Sequence, residues 1–408
     1  MEIYTHTLTN GIRIIHHPTV SPVGYCGLII NTGSRDEKEE EHGMAHFIEH
    51  VIFKGTKKRK TYHILSRIDD VGGELNAYTA KEETCIYASF LNQDFDRAIE
   101  LLHDITFNST FPAKELEKEK EVIIDEINSY KDNPSDLIID DFEELVYKDD
   151  PMGRNILGTP ETLETFKRDD IERFMANNYH TDQMVICAVG QITPARLFKM
   201  VTKYFGTVTP NLRTAERPVI TPYHPQTLEK KMDTFQSHIA IGNVAYDLNS
   251  PLRPGLLLLN NILGGPGMNS RLNMSLRERN GIAYNIESIY SPYFGTGVFS
   301  IYFGTDEENI NRSLNIVYRE LKKLREKALG KLQLHNARRQ LKGQITISSE
   351  NKENLMLSIG KSYLLYNRVD TLEEIYSKID ALTASDLLAI ANEIFDESKL
   401  SHLIYRQS

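Results

Sequence analysis

The chain has 408 residues, of which 40% are hydrophobic and 25% are charged, a composition that is ordinary for a soluble globular protein. This length exceeds one compact core and predicts two or more domains. The formal net charge of −10 argues against a nucleic-acid-binding protein.

Membrane association and secretion are also disfavoured. No stretch of the sequence approaches the length of a membrane span, and the N-terminus lacks a charged region followed by an apolar run. The three cysteines, Cys26, Cys85 and Cys187, lie in apolar, strand-like stretches and are odd in number. This pattern favours buried thiols in a reducing compartment over disulfides or a metal cluster. We therefore expect a soluble, cytoplasmic protein.

The predicted elements interleave strands and helices through the first half of the chain. A turn around Thr9, Asn10 and Gly11 predicts a hairpin. The predicted hairpin and strands cover residues 3–17, 24–32, 75–80, 84–91 and 184–189. The predicted helices cover residues 61–71, 94–107, 112–130, 135–147, 160–177 and 194–204, and another surrounds residue 46. This alternation predicts an α+β fold class.

A proline-rich stretch divides the chain near its middle. Residues 210–225 hold four of the 15 prolines among polar residues and predict a linker. It separates a predicted domain at residues 1–209 from a second at 226–408. We predict that these are structurally similar α/β domains, each a sheet with helices.

The similarity of the two halves appears in short parallel segments. Residues 96–102 parallel residues 311–317, and both follow a region of paired strands. Extending this alignment sets Gly255 against Gly43. The residues then set against His46, Glu49 and His50 are Leu258, Asn261 and Ile262. We therefore expect the second half to keep the fold without the metal chemistry.

The candidate metal site begins with two histidines, His46 and His50, four residues apart. In a helix this spacing places both imidazoles on one face, where they can bind one zinc ion. Glu49 beside them can act as a general base, and the order H-x-x-E-H is that of the inverted zinc-protease motif. The structural alternative is a helix with two hydrogen-bonded histidines and a surface glutamate.

The third ligand is predicted from helical phase in the long helix that begins near residue 112. Glu119 and Glu126 are seven residues apart and share an apolar stripe with Leu116, Ile123 and Ile127. Carboxylates on a stripe that faces the core are costly unless they are paired or bind a metal. One of the two would bind the metal, and the other would orient a histidine or the water. Pairing of both with lysines on a solvated helix is the alternative.

A third histidine, His42, extends the series by one more step. Positions eight apart lie about 12 Å from each other along a helix axis, which is too far for one ion. His42 also precedes Gly43, near the predicted start of the helix. We predict that His42 ends or supports the helix and is not a ligand.

These motifs resemble the pitrilysin or insulinase-type zinc metallopeptidases, the inverzincins of family M16. Residues 33–35, 43–50 and 53–56 are similar to the N-terminal signature of that family, and the resemblance covers nearly the whole chain. It is strongest to the branch that contains the mitochondrial processing peptidase and its short bacterial relatives. By this resemblance Glu126 is the third zinc ligand and Glu119 is an accessory glutamate.

The resemblance also implies substrate contacts. Residues 72–79 are similar to an edge strand that binds substrate backbone by β-augmentation. The substrate-binding residues would be Asn76, Ala77, Tyr78 and Thr79. Residues 276–284 are similar to an arginine–tyrosine pair, in which Arg277 would hold the substrate and Tyr284 would stabilise the oxyanion. From the residues alone, these two are an ordinary surface arginine and a core tyrosine.

The predicted function is zinc-dependent endopeptidase activity on peptides or unfolded polypeptides, with one zinc ion per chain. The ion would lower the pKa of a bound water, and Glu49 would take its proton and pass it to the leaving amine. Four domains form a closed chamber in the family, so two domains imply half of a clamshell and a homodimer or a heterodimer with a paralogue. The alternatives are a non-catalytic subunit of the same fold and a metal-binding protein without hydrolysis.

Overall fold

The computed structural model describes residues 2–407, which form two compact units. The first unit comprises the described residues up to Ile127 together with Asn155–Arg217 and Ile347–Thr371. The second comprises Asn128–Arg154, Pro218–Thr346 and the described residues from Leu372 onward. The predicted mixed fold class, with a sheet and helices in each unit, is confirmed.

The strands divide between two sheets. Those of the first unit are β1 (Tyr4–Thr7), β2 (Arg13–Pro18), β3 (Val23–Ile30), β4 (Glu74–Thr79), β5 (Thr84–Leu91) and β6 (Met184–Gly190). Those of the second unit are β7 (Thr227–Met232), β8 (Ser237–Val244), β9 (Ile286–Tyr293), β10 (Thr296–Thr305) and β11 (Ser401–Gln407). The hairpin predicted around Gly11 is β1 and β2, and Gly11 takes the positive φ of 96° that the turn requires.

The helices of the first half of the chain follow the predicted ranges, apart from residues 160–177. In the first half of the chain they are α1 (Met44–Val51), α2 (Thr61–Asp69), α3 (Phe95–Phe107), α4 (Ala113–Lys131), α5 (Pro134–Val146), α6 (Pro160–Thr165), α7 (Arg168–Asn178) and α8 (Pro194–Phe205). In the second half they are α9 (Arg253–Gly264), α10 (Ile310–Glu326), α11 (Lys331–Ser349), α12 (Lys352–Tyr366), α13 (Leu372–Ala381) and α14 (Ala384–Ile394). Across residues 2–407, no helix combines the length and the apolar character that crossing a bilayer requires.

The prediction of one helix over residues 160–177 is wrong. The chain leaves the helix at Phe166 and Lys167, both of which are extended. The Phe166 side chain is buried in the core, and Asp170 accepts a hydrogen bond from the Lys167 N–H at 3.0 Å, which starts α7 anew.

The two sheets have the same topology. The described strands of the first are ordered β1-β2-β6-β3-β5-β4, and those of the second β7-β11-β8-β10-β9. In each sheet one parallel pair, β2 with β6 or β7 with β11, precedes a run of antiparallel neighbours. Apart from β1, the strands therefore correspond one to one, as the predicted duplication requires.

Each unit is completed by a helix from the other half of the chain. Helix α12 covers one face of the first sheet, where Met356 and Ile359 pack against Ile29 and Cys187. Helix α5 covers one face of the second sheet, where Phe142 packs in a cluster with residues of β8 and β11. The uninterrupted ranges 1–209 and 226–408 therefore differ from the compact units, although the passage at Arg217 falls inside the predicted linker.

The opposite face of the first sheet positions α1. Successive strand residues point to opposite faces, so Leu28 and Ile186 pack against this helix layer while Ile29 packs against α12. Phe47, Ile48 and Val51 of α1 are fully buried in this core. At roughly 25 cal/mol per Å² of apolar area, each such side chain contributes about 1.5–3 kcal/mol relative to exposure. The helix is thereby fixed against the sheet.

Candidate metal centre

The start of α1 is fixed by a buried glutamate and a glycine. Gly43 has a φ of 93°, and a Cβ atom there would lie 2.7 Å from the Cα atom of Gly158. The Glu37 carboxylate accepts hydrogen bonds from the N–H groups of Gly43 and Ala45, at 2.9 and 2.8 Å. A carboxylate at a helix N-terminus is favourable because it satisfies free N–H groups and meets the positive end of the helix dipole.

Three predicted ligands lie together in the first unit. The Glu126 Oε2 atom is 3.9 Å from His46 Nε2 and 3.5 Å from His50 Nε2. Within residues 2–407, this is the one group of three potential metal ligands whose donor atoms all lie within 4.8 Å of one another. His42 is outside it: its Nε2 atom lies 2.7 Å from the Asn155 carbonyl, before α1 begins.

The chemistry of these donors fits zinc. Two imidazole nitrogens and one carboxylate are a usual protein set for catalytic zinc, with a fourth position left for water or substrate. Burial, and then the neighbouring His50, lower the pKa of His46 to about 4. Its imidazole is therefore neutral near pH 7, as a metal ligand must be.

Glu119 supports the site from behind His50. Its Oε2 atom is 3.3 Å from His50 Nδ1, and its Oε1 atom is 2.7 Å from the Lys54 ammonium. The Glu119 side chain is buried, as the helical phase predicted. When the Nδ1–H group donates a hydrogen bond to this carboxylate, the His50 Nε2 atom keeps its lone pair and can bind a metal.

Glu126 differs from the prediction in depth. Its side chain is 46% exposed, although the sequence analysis placed it on a stripe that faces the core. Helical phase gives the direction of a side chain, and Glu126 does point the same way as Glu119. At the position of Glu126 along α4, this side of the helix faces His46 and His50 and is open to solvent, and it does not face the apolar core.

Glu49 is held by the neighbouring strand. The Thr79 hydroxyl donates to Glu49 Oε2 at 2.6 Å. Burial is the largest effect on this carboxyl and raises its pKa, which the Thr79 hydrogen bond partly offsets. A base with a raised pKa holds a proton more readily once it has taken one.

The predicted substrate strand is the edge strand β4. In the described structure β4 pairs only with β5, so its outer edge has no partner strand. Ala77 packs against the core on one face, while Tyr78 lies on the other and donates to Glu83 at 3.1 Å. Asn76 is exposed. An unpaired edge of this kind is the feature that β-augmentation uses.

Arg277 and Tyr284 belong to the second unit. Arg277 lies in a short π-helix, Asn273–Glu278, and its guanidinium is half exposed, 3.7 Å from Glu278. Tyr284 is 67% exposed, so the assignment of a core tyrosine from the residues alone is wrong. It precedes β9 in a loop, where the chain provides no core position for the ring.

Two supporting residues, Glu37 and Lys54, were absent from the sequence analysis, and so was the role of the Thr79 hydroxyl as a hydrogen-bond donor to Glu49. Glu37 lies six residues before the N-cap residue Gly43, outside the positions at which a local capping pattern is read. The contacts of Lys54 with Glu119 and of Thr79 with Glu49 join distant elements, and no local pattern signals them.

Comparison with known proteins identifies relatives along the full chain. The sequence model described as insulinase (peptidase family M16) matches residues 13–160, and that of the peptidase M16 inactive domain matches residues 165–341. The chain is 35% identical over 406 residues to an uncharacterized zinc protease, YmxG, of Bacillus subtilis, with 98% of each chain covered. It is 33% identical over 399 residues to an uncharacterized zinc protease of Rickettsia bellii, covering 97% of this chain and 96% of the relative.

Solved structures share the fold. A protease from Helicobacter pylori aligns with a TM-score of 0.91 at 21% identity, with 99% of each chain covered. A peptidase M16 inactive domain from Pseudomonas fluorescens aligns with a TM-score of 0.93 at 18% identity, covering 100% of this chain and 98% of that one. The resemblance drawn from the motifs is confirmed: this chain belongs to the insulinase-type peptidase family M16.

Proposed function

We propose that the protein is a zinc-dependent endopeptidase that cleaves peptides or unfolded segments of polypeptides. The observation that carries this proposal is the convergence of His46, His50 and Glu126 beside Glu49. These residues would hold one zinc ion per chain. When bound, the ion would polarise the scissile carbonyl and lower the pKa of a water molecule.

The chain's own residues perform the proton transfers. Glu49 takes a proton from the attacking water at its carboxylate and delivers it to the leaving amine. The Thr79 hydroxyl donates to Glu49 Oε2, and the other carboxylate oxygen would take the proton of the water. Glu119 keeps His50 in the tautomer that presents Nε2.

The substrate is bound as an extra strand along the outer edge of β4, at Asn76–Thr79. Main-chain hydrogen bonds at this edge suit peptides of varied sequence. The family resemblance supports two further roles, substrate binding for Arg277 and oxyanion stabilisation for Tyr284, and the exposed side chains of both residues are compatible with these roles.

We further propose that the protein acts in the cytoplasm as a dimer, either of identical chains or with a paralogue. A closed dimer would admit peptides and unfolded segments and exclude folded proteins. The test is to measure cleavage of one disulfide-bonded substrate protein in two forms, folded and unfolded by reduction and carboxymethylation. Cleavage of the unfolded form alone is expected, and equal cleavage of both would contradict the enclosed site.

A non-catalytic subunit is the second candidate, because residues 165–341 match the inactive domain of the family. That match lies outside the candidate metal centre, whose residues all fall within 13–160. The architecture therefore suits an active domain followed by an inactive one in a single chain.

The experiment is to incubate the purified protein with a pool of unstructured peptides and to measure its zinc content. We expect about one zinc per chain, cleavage, loss of cleavage after chelation, and recovery when zinc is restored. Zinc without cleavage at any enzyme concentration, alone or with a co-expressed paralogue, would contradict the proposal.

A further inference from the structure

The side chain of Thr79 joins two parts of the site that the sequence analysis treated separately. Thr79 is the last residue of β4, the proposed substrate strand, and its hydroxyl is 2.6 Å from Glu49 Oε2. Glu49 lies on α1, thirty residues earlier in the chain. Within residues 2–407, no other side chain donates a hydrogen bond to the Glu49 carboxylate.

We infer that Thr79 is a positioning residue, which orients Glu49 for proton transfer and ties that orientation to the strand that holds the substrate. This inference rests on the proposed peptidase function. Thr79 does not touch the reacting atoms; it acts through Glu49.

The backbone of Thr79 is fixed on both sides. Within the sheet it lies opposite Thr84 of β5. The turn that follows is closed by a hydrogen bond from the Ala80 N–H to the Glu83 carbonyl at 2.8 Å, and the Ala80 carbonyl accepts from Ser34 at 3.2 Å. These contacts fix the backbone of Thr79, and therefore the position from which its side chain extends.

The side chain of Thr79 is also restricted. Threonine is β-branched, so few χ1 rotamers are available to it in a strand. Its hydroxyl has one proton, and the alternative acceptor, the Ala45 carbonyl, is 3.5 Å away, too long for a strong bond. The proton is therefore directed at Glu49, and a hydrogen bond to an ionised carboxylate is stronger than one between neutral groups.

This arrangement has a consequence for catalysis. A glutamate side chain has three rotatable bonds, and a base must lie within hydrogen-bond reach of the proton it takes. Fixing one carboxylate oxygen selects the rotamer that presents the other. Because the donor belongs to β4, a peptide that pairs with β4 meets a base that the same strand has already oriented.

The test compares Thr79→Val with Thr79→Ser and with Thr84→Val in the full-length protein. Valine keeps the β-branch and removes the hydroxyl, and serine restores it. Thr84 is a matched control: it lies across the ladder from Thr79, and its hydroxyl donates to the Thr32 carbonyl at 2.8 Å, away from Glu49. The readouts are kcat and KM on one fluorogenic peptide that the wild type cleaves, together with zinc content and crystal structures.

We expect Thr79→Val to lower kcat at least tenfold, about the scale of a misplaced general base, with KM and zinc content unchanged. Thr79→Ser should recover most of kcat, and Thr84→Val should keep it. In the crystal structure of Thr79→Val, Glu49 should leave its position or occupy several rotamers.

Two results would overturn the inference. One is a kcat for Thr79→Val within twofold of wild type; the other is an increase in KM alone, which would assign Thr79 to substrate binding. The crystal structures test the inference independently of any activity assay. A Glu49 side chain that keeps its position in Thr79→Val contradicts the inference that Thr79 orients it. A wild-type protein that binds zinc and cleaves nothing would instead count against the proposed function.

Discussion

At the scale of single residues, the metal centre depends on which ring nitrogen of His50 faces the other ligands. His50 has both ring nitrogens committed, Nδ1 to Glu119 and Nε2 toward Glu126. Glu119 is buried, so solvent screens its charge weakly, and its two carboxylate oxygens contact His50 Nδ1 and the Lys54 ammonium. The charge of Glu119 should therefore raise the affinity for zinc without Glu119 binding it.

Replacing Glu119 by glutamine tests that role. Glutamine can still accept the His50 hydrogen bond but removes the negative charge, so zinc affinity should fall about 10-fold, and by no more than about 100-fold. A competitive chelator titration measures it. Glu121→Gln on the exposed face of α4 is the control and should bind zinc as the wild type does. Equal affinities for the two variants would remove Glu119 from the metal centre.

The sequence was sufficient at this scale where a local repeat carried the information. The spacing of His46 and His50 determined their shared face, and the seven-residue step from Glu119 to Glu126 determined their shared direction. The sequence did not predict solvent exposure, because the exposure of Glu126 and Tyr284 depends on which other elements pack over them. The contact of Thr79 with Glu49 likewise depends on the packing of a strand against a helix.

At the scale of elements, α1 depends on the residue that caps its N-terminus. Gly43 combines a positive φ with a close approach to Gly158, and only glycine suits both. The helix that carries both histidines begins there. A change at Gly43 should therefore alter stability and metal binding together.

Gly43→Ala should lower the free energy of unfolding by about 2–5 kcal/mol, the sum of a left-handed backbone and a steric clash. Gly72→Ala is the matched control, since Gly72 has a φ of 72° and open space around its Cα. It should cost about 1–2 kcal/mol. Denaturant unfolding of both variants measures the difference, and equal losses would mean that the approach to Gly158 is unimportant.

Element boundaries were predictable where chemical signals marked them and not where tertiary packing did. Gly72 ends its helix region, and Pro194 begins another, as their residue types suggest. The break at Phe166 has no such signal, because phenylalanine is compatible with a helix and leaves it here to enter the core. The strand pairings that make β4 an edge are also absent from any local pattern.

At the scale of the whole molecule, the compact units are not continuous stretches of sequence. Each unit includes a helix from the other half of the chain, α12 in the first unit and α5 in the second. The apolar residues of α12 favour its packing against another element, but no feature of residues 352–366 indicates which sheet it covers. Apart from β1, the two sheets have corresponding strand orders, so the topology alone does not select one of them. The assignment of α12 to the first unit is therefore a property of the folded chain alone.

Hydrogen exchange in two cavity variants tests this assignment. Ile359→Ala in α12 should speed amide exchange in β3 and β6 of the first unit, because Ile359 packs in their cluster. Ile390→Ala in α14 is the control, since Ile390 belongs to the core of the second unit. Each change should cost about 2–4 kcal/mol. If Ile359→Ala instead speeds amide hydrogen exchange in β8 and β10, the assignment of α12 to the first unit is contradicted.

The most direct test of the central claim is the pair of wild-type protein and Glu49→Gln, with zinc content and peptide cleavage measured on the same samples. Glutamine keeps the size of the side chain and leaves the three metal ligands intact, but it cannot accept the proton. We predict equal zinc content, with cleavage reduced at least 100-fold in the variant, the lower range for a lost general base. Equal cleavage by both proteins would contradict the assignment of Glu49 as the base.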